Sequence, residues 1–252
     1  MKTRWGFLIL FFLGVLIANS VYAQTYVWKP YDNFSSGVIN PNKWDIDDSS
    51  ATITIDNGRA KFVHNPGFDN DSAWLKIKKN ITNVWGIKAT VEFESCNFVN
   101  PANRDVRARV GANIGAEAAT PTNRVYAALN LEPYYNNGDS PRLYGSINVW
   151  DTTVNPDVLI IDIFSGNFSR ENGAIAGDVI GIPFTITQEW TAKAVKFTVA
   201  SEGKATYNYE KTYKVKPITD PNKALVGIGT NSASGGGTCT VYFDDVYVLR
   251  KY

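Results

Sequence analysis

The sequence predicts an all-β protein in which two antiparallel sheets pack against each other as a β-sandwich. About a dozen short segments alternate apolar and polar residues, turn-forming clusters separate them, and no stretch keeps a helical period. Successive side chains of a strand lie on opposite faces of its sheet, so each alternating segment has one face for a core. Many short strands at this spacing are typical of a single-domain sandwich.

The first residues have the composition of a secretory signal peptide. A basic start is followed by an apolar run over residues 6–18, and Ala23 is a small residue suited to cleavage. The apolar run is too short for a stable membrane span, and an uncleaved anchor is the alternative. We therefore expect residues 1–23 to be removed and residues 24–252 to form one soluble domain, secreted to the periplasm, the cell surface or the medium.

Charge narrows the classes of partner. The formal net charge is +1, and Lys2 and Arg4 lie in the expected signal peptide. A domain this close to neutrality gives no reason to expect nucleic acid or an anionic membrane surface as a partner. The segments after the signal peptide are also too polar to predict a membrane span.

The chain has two cysteines, Cys96 and Cys239. Both lie in strand-like segments, and an exported protein meets an oxidising compartment, so we expect one disulfide bond between them. Two buried free thiols are the alternative. His64 is the only histidine, and one histidine with two cysteines is a poor donor set for tetrahedral zinc.

The elements can be placed in order along the chain. Residues 31–44 predict an irregular lead-in that packs its aromatic side chains under a sheet. Residues 51–63 predict a hairpin, because Asn57-Gly58 favours a tight primed turn. Further strands are expected at 73–78, 84–96, 104–113, 158–164, 184–186, 194–200, 207–215, 224–229 and 239–249. Residues 232–238 are expected to form a flexible loop, and Trp44, Trp74, Trp85 and Trp190 are assigned to the core.

The stretch 125–150 predicts a hairpin with one apolar face and one polar-aromatic face. Residues 125–132 and 142–150 both alternate, and the turn formers of residues 136–141 separate them. Aromatic walls with a few polar groups are typical of a binding site, and such rings pack on the CH-rich faces of sugars. Ordinary core or surface aromatics are the alternative. The candidate ligand-binding residues are Arg107, Arg109, Tyr126, Asn130, Glu132, Tyr144, Asn148 and Trp150.

Three segments resemble the concanavalin A-like lectin and glucanase superfamily. Residues 32–37 and 42–44 resemble the opening of such domains, and residues 241–248 resemble their closing strand. Residues 189–203 resemble a Trp-Thr pair, a strand of the form I-x-F-x-V and a turn, with Ser-Glu-Gly where the family often has Asp-Gly. The resemblance covers nearly the whole mature chain and implies a jelly-roll β-sandwich whose concave sheet carries sugars.

The glucanases of this superfamily carry Glu-x-Asp-x-(x)-Glu on one strand. The nearest match is Glu92-Phe-Glu94, which lacks the Asp and the third acid. These two carboxylates share one strand face, roughly 7 Å apart at Cα, which suits paired acid/base work. We favour a solvated or ion-paired role opposite Arg107 and Arg109, because matched charges on neighbouring strands are ordinary sheet stabilisation. The histidine of alginate-lyase relatives is unmatched, since His64 is expected to lie in a turn beside the Asn-Pro-Gly sequence of residues 65–67.

The resemblance also implies a structural Ca²⁺ where the lead-in meets the closing strand. Asp32, Asp244 and Asp245 are the candidate ligands, since Ca²⁺ prefers oxygen donors. The alternative is that these carboxylates bond backbone N–H groups or a lysine and hold no metal. No cofactor is expected to be required, and a structural Ca²⁺ is the one bound ion that the resemblance implies.

The sequence favours an exported, non-catalytic carbohydrate-binding protein whose partner is an oligo- or polysaccharide. Two other functions remain open. One is a divergent glycoside hydrolase or polysaccharide lyase of the same fold that uses Glu92 and Glu94. The other is a structural or adhesive surface protein in which the sandwich is only a scaffold.

Overall fold

The computed structural model describes residues 25–64, 72–78, 84–98, 109–119, 123–132, 142–151, 158–164, 180–190, 194–201, 209–214, 225–234 and 237–252. All regular secondary structure within these residues is β. Nothing in this part of the chain is a helix long and apolar enough to cross a membrane. The expected signal peptide, residues 1–23, lies outside the described residues.

The described strands follow one another without an intervening described helix. They are β1 (Tyr26–Asp32), β2 (Trp44–Asp47), β3 (Ala51–Asp56), β4 (Arg59–His64), β5 (Ser72–Ile77), β6 (Val84–Phe98), β7 (Arg109–Ala119), β8 (Asn123–Glu132), β9 (Arg142–Asp151), β10 (Val158–Phe164), β11 (Phe184–Trp190), β12 (Ala194–Ser201), β13 (Tyr209–Lys214), β14 (Leu225–Ser234) and β15 (Gly237–Lys251).

These strands form two antiparallel sheets. The eight-stranded sheet has the order β13-β12-β11-β6-β15-β4-β3, and β1 also pairs with β15. The seven-stranded sheet has the order β10-β9-β8-β7-β14-β5-β2. Consecutive strands such as β8 and β9 are neighbours, whereas β14 reaches β5 and β7 from far along the chain.

The hydrophobic core lies between the two sheets. Phe62, Val91 and Phe243 of the eight-stranded sheet belong to the same buried cluster as Leu75 and Ile228 of the seven-stranded sheet. The rings of Phe62 and Phe243 pack edge to face with their centroids 5.1 Å apart, an arrangement that aromatic pairs prefer. The predicted all-β sandwich is therefore confirmed.

One polar contact joins the sheets through the core. His64 is the last residue of β4, fully buried, and its Nδ1 lies 3.1 Å from the Oγ1 of Thr230 on β14. The expectation that His64 belongs to a turn is wrong, because the strand extends to this residue before the Asn-Pro-Gly sequence begins. A buried imidazole in contact with a hydroxyl costs less than one left without a partner.

The predicted hairpin of residues 51–63 is confirmed by its backbone. Asn57 and Gly58 connect β3 to β4 with φ values of 50° and 74°. Two consecutive positive φ values are the signature of a primed turn, which matches the twist of the strands on either side. Ile53 lies opposite Phe62 in the register, so the turn fixes which residues of the two strands face the core.

The lead-in packs its aromatic side chains as expected. Phe34 and Trp44 are both buried, and their rings stack with centroids 5.9 Å apart. Tyr31 packs edge to face on Trp44 at 4.9 Å. Residues 33–43 form no strand, as predicted, and β1, which precedes them, pairs with β15 with a register shift between Pro30 and Asp32.

Two boundaries differ from the prediction. The strand expected at residues 104–113 is described from Arg109 and continues to Ala119. The expected flexible loop at residues 232–238 is largely strand, since β14 extends to Ser234 and β15 begins at Gly237. Backbone pairing of β14 with β7 maintains the strand through these serines, although they have no apolar alternation.

Candidate functional site

The seven-stranded sheet has one face toward the core and one outer face. On β5, Ala73 and Leu75 are fully buried, whereas Trp74 and Lys76 between and after them are half-buried. On β14, Ile228 is fully buried in the core cluster. Alternation therefore places Trp74 and Lys76 on the outer face.

The strand register extends this outer face across the sheet. Residues directly opposite each other on antiparallel neighbours lie on the same face. Gly229 is opposite both Trp74 and Asn113, Asn113 is opposite Asn130, and Asn130 is opposite Tyr144. These five positions on β5, β14, β7, β8 and β9 form a line across the strands, which we call the Trp74 row.

A second polar line crosses the same face. Tyr126 is opposite Glu117 on one side and Asn148 on the other, and Asn148 is opposite Asp162. We call these four positions the Tyr126 row. It lies four residues from the Trp74 row along each shared strand, which is roughly 13 Å at the usual rise per residue.

Between the two rows lies a line of small residues. Its members, taken strand by strand from β14 to β9, are Gly227, Gly115, Ala128 and Ser146. These residue types bring at most a hydroxymethyl group above the backbone. The outer face thus consists of two polar-aromatic rows flanking a line of small residues.

The register brings together half of the residues predicted to bind a ligand. Tyr126, Asn130, Tyr144 and Asn148 occupy the two rows. The remaining four lie outside the two rows. Glu132, opposite Arg142, and Trp150, opposite Arg124, lie on the same face, two residues beyond the Trp74 row and the Tyr126 row. Arg109 is opposite Ser234, and Arg107 is outside the described residues.

Sequence reasoning missed Trp74 and Glu117 as members of this face. Trp44 is 1% exposed and confirms its assignment to the core, but the same assignment is wrong for Trp74. The sequence pattern that could have identified Trp74 as an outer-face residue is the alternation of β5, which groups Trp74 with Lys76 and not with Leu75. Trp85 is half-buried and packs against the core cluster, and the side chain of Trp190 lies outside the described residues.

The candidate acids Glu92 and Glu94 lie on the other sheet. Both belong to β6 of the eight-stranded sheet, where Val91 and Phe93 face the core. A guanidinium nitrogen of Arg59 lies 2.9 Å from a carboxylate oxygen of Glu92. The prediction that Arg109 lies opposite these acids is wrong, because Arg109 belongs to the seven-stranded sheet. Arg59 from β4 lies beside Glu92 instead.

Tyr242 is the centre of the network around Glu94. Its hydroxyl donates to Asp56 at 2.8 Å and lies 3.3 Å from Glu94, while Lys61 approaches the two carboxylates at 3.3 and 4.0 Å. Arg59 lies 3.9 Å above the Tyr242 ring, a favourable cation–π distance. The hydrogen bond from Tyr242 and then the Lys61 ammonium lower the pKa of Asp56. These contacts favour the ionised form of the Asp56 carboxylate.

The candidate calcium ligand Asp32 is surrounded by donors from its own chain. One carboxylate oxygen accepts the Phe34 N–H at 3.0 Å, and the other accepts the Trp44 indole N–H at 2.8 Å. The Lys43 ammonium lies 3.5 Å from the first oxygen. Ca²⁺ needs free oxygen lone pairs, so this arrangement fits the metal poorly and fits the hydrogen-bonded alternative.

The two acidic residues of the closing strand lie at a register shift of β15 against β6. The Asp244 carboxylate accepts the Asp245 N–H at 2.7 Å, and Asp245 has a φ of 47°. Burial, together with the nearby charges of Asp245 and Asp32, raises the pKa of Asp244. The described side chains include no group of three or more His, Cys, Asp or Glu residues that could hold a metal ion.

Comparison with known proteins places the fold but not the activity. No family model matches the sequence, and no curated protein matches it either. The structure is similar to a κ-carrageenase from Pseudoalteromonas carrageenovora, solved with an oligotetrasaccharide of κ-carrageenan, with a TM-score of 0.54 and 10% identity over 94% of this chain and 99% of that one. It is also similar to a functionally unknown protein from Saccharomyces cerevisiae, with a TM-score of 0.51 and 10% identity over 83% and 97% of the two chains. The chain therefore has the concanavalin A-like β-sandwich fold that its motifs predict.

Proposed function

We propose that this protein is an exported carbohydrate-binding protein that binds a glycan chain on the outer face of its seven-stranded sheet. The observation that carries the proposal is the strand register, which gathers Tyr126, Asn130, Tyr144 and Asn148 from two strands into two rows on one face of the sheet. Tyrosine rings offer flat apolar surfaces to the CH groups of a sugar, and amides offer donors and acceptors to its hydroxyls. The sugar-bound carrageenase of the same fold adds support.

The proposal predicts that single aromatic residues of the face control affinity. A glycan array identifies the ligand, and titration then compares wild type with Tyr144→Ala and Trp150→Ala. Each variant is expected to lose at least about tenfold in affinity, since burying an aromatic side chain is worth about 1.5–3 kcal/mol. Tyr26→Ala is the control, because Tyr26 is an exposed aromatic of the eight-stranded sheet. Absence of any glycan binding, or equal affinity in both variants, would refute the proposal and favour a structural or adhesive role.

A variant of Glu94 on β6 distinguishes a binding protein from an enzyme. Glu94 and its contacts Tyr242 and Lys61 all belong to the eight-stranded sheet, whereas the proposed glycan site lies on the seven-stranded sheet. Glu94→Gln is therefore expected to leave glycan affinity within a factor of two of wild type. Wild type and this variant are both incubated with a polysaccharide panel and assayed for reducing ends and for unsaturated products. Product formation by wild type that Glu94→Gln abolishes would make the protein a glycoside hydrolase or lyase.

A further inference from the structure

The indole of Trp74 is held in place against a glycine on the neighbouring strand. A Cβ added at Gly229 would lie 2.8 Å from Cδ2 and 2.9 Å from Cε3 of Trp74. Side-chain atoms do not approach a Cβ this closely, and the same Cβ would also collide with the backbone oxygen of Ala73, so any other residue at position 229 would displace both the ring and the strand. One side of the indole therefore lies on backbone, and the residue keeps part of its surface exposed on the outer face.

Trp74 and Tyr144 are the two aromatic ends of the Trp74 row. They lie on β5 and β9, four strand spacings apart, which is about 19 Å at the usual spacing of paired strands. Gly229, Asn113 and Asn130 occupy the positions between them. This distance exceeds the size of one sugar and corresponds to a short oligosaccharide that runs across the strands.

The charges beside Trp74 are neutralised within the protein. Lys76 on β5 pairs with Asp47 on β2 at 2.9 Å, and Lys78 pairs with Asp45 at 3.6 Å. Lys76 and Lys78 thus each have a carboxylate of their own, and the pairs are partly exposed. Such pairs offer donors and acceptors to hydroxyl groups, and among the described side chains beside Trp74 they leave no excess positive charge to select an anionic ligand.

We propose that the ligand is an extended, uncharged oligosaccharide chain that crosses the strands, with one sugar unit stacked on Trp74 and another beside Tyr144. This inference rests on the proposed carbohydrate-binding function and adds the direction, minimum extent and charge class of the ligand. The chain contacts the amide-bearing positions of the Trp74 row between its two aromatic contacts. Trp74 is the binding residue at the β5 end.

A length series tests the inference. Oligosaccharides of the preferred glycan, from the disaccharide to the hexasaccharide, are titrated calorimetrically against wild type and Trp74→Ala. Wild-type affinity is expected to rise with length until a chain reaches both rings and then to level off. Trp74→Ala is expected to lose at least about tenfold in affinity for the hexasaccharide and less than threefold for the disaccharide, while Trp74→Phe retains most of the affinity.

The other sheet offers a matched control. Trp28 is also half-buried and also lies over a glycine, since a Cβ at Gly86 would come within 3.1 Å of its Cη2. Trp28→Ala should cost similar stability, read from the melting temperature, and leave every affinity unchanged. If wild type binds no glycan, the proposed function fails. If it binds with an affinity independent of length, binds equally well as Trp74→Ala, or selects only anionic chains, the proposed function survives and this inference is overturned.

Discussion

Replacing Cys96 and Cys239 together with alanine is expected to lower the free energy of unfolding by roughly 4–5 kcal/mol. The two residues are directly opposite each other on β6 and β15. Opposite residues of antiparallel strands have Cα atoms about 4.5–5.5 Å apart, which lies within the range that a disulfide bridges. The cross-link would close a loop of roughly 140 residues, so it would restrict the unfolded chain strongly.

Denaturant unfolding of the oxidised protein, with and without reductant, measures this effect. Alanine suits position 239 because that side chain is fully buried, and a serine hydroxyl there would need a new partner. The double variant serves as its own control, since reductant should no longer change its midpoint. Two free thiols in the mass spectrum of protein purified from an oxidising compartment would contradict the prediction, and so would a wild-type midpoint that reductant leaves unchanged.

Local signals in the sequence were sufficient for the hairpins. Asn57-Gly58 sets the β3–β4 turn, and the alternation of residues 125–132 and 142–150 determines both the pairing and the faces of β8 and β9. Strand β1 was not predicted, because Tyr26–Asp32 contains Pro30 and has no clean alternation. Proline is tolerated at the edge of a sheet, and β1 is stabilised by its pairing with β15, more than two hundred residues away.

The candidate site could not be predicted in full from the sequence, because it depends on pairing between strands that are far apart along the chain. Alternation correctly assigned Tyr126 and Tyr144 to one face, but it says nothing about which strands lie beside them. Trp74 joins that face only because β14 pairs with both β5 and β7. For the same reason the sequence placed Arg109 and not Arg59 beside Glu92, since the position of Arg59 depends on how β4 and β6 both pair with β15.

Asp32→Ala is expected to destabilise the fold by about 2–4 kcal/mol, because hydrogen bonds to a charged group are strong and a buried donor without an acceptor is costly. The Trp44 indole is 1% exposed, and its N–H would lose the acceptor that now lies 2.8 Å away. The Phe34 N–H would lose its acceptor as well, at a residue whose φ is 53°. Asp45→Ala is the matched control, since Asp45 is an exposed residue that pairs with Lys78 at 3.6 Å. Surface pairs of this kind contribute about 0–1 kcal/mol.

The same variants decide between a hydrogen-bonded corner and a calcium site. Since both oxygens of Asp32 already accept N–H groups, we expect the loss of stability in Asp32→Ala to be equal in EDTA and in millimolar Ca²⁺. A structural ion would instead stabilise the folded wild type by mass action and raise its melting temperature in Ca²⁺.

Asp244→Asn keeps the acceptor for the Asp245 N–H and removes a charge that burial and neighbouring carboxylates disfavour. Without bound calcium, this variant should be as stable as wild type or more stable at neutral pH, and the difference should shrink as acid protonates Asp244. A Ca²⁺-dependent rise in the wild-type melting temperature that both Asp32→Ala and Asp244→Asn abolish would establish the metal site instead.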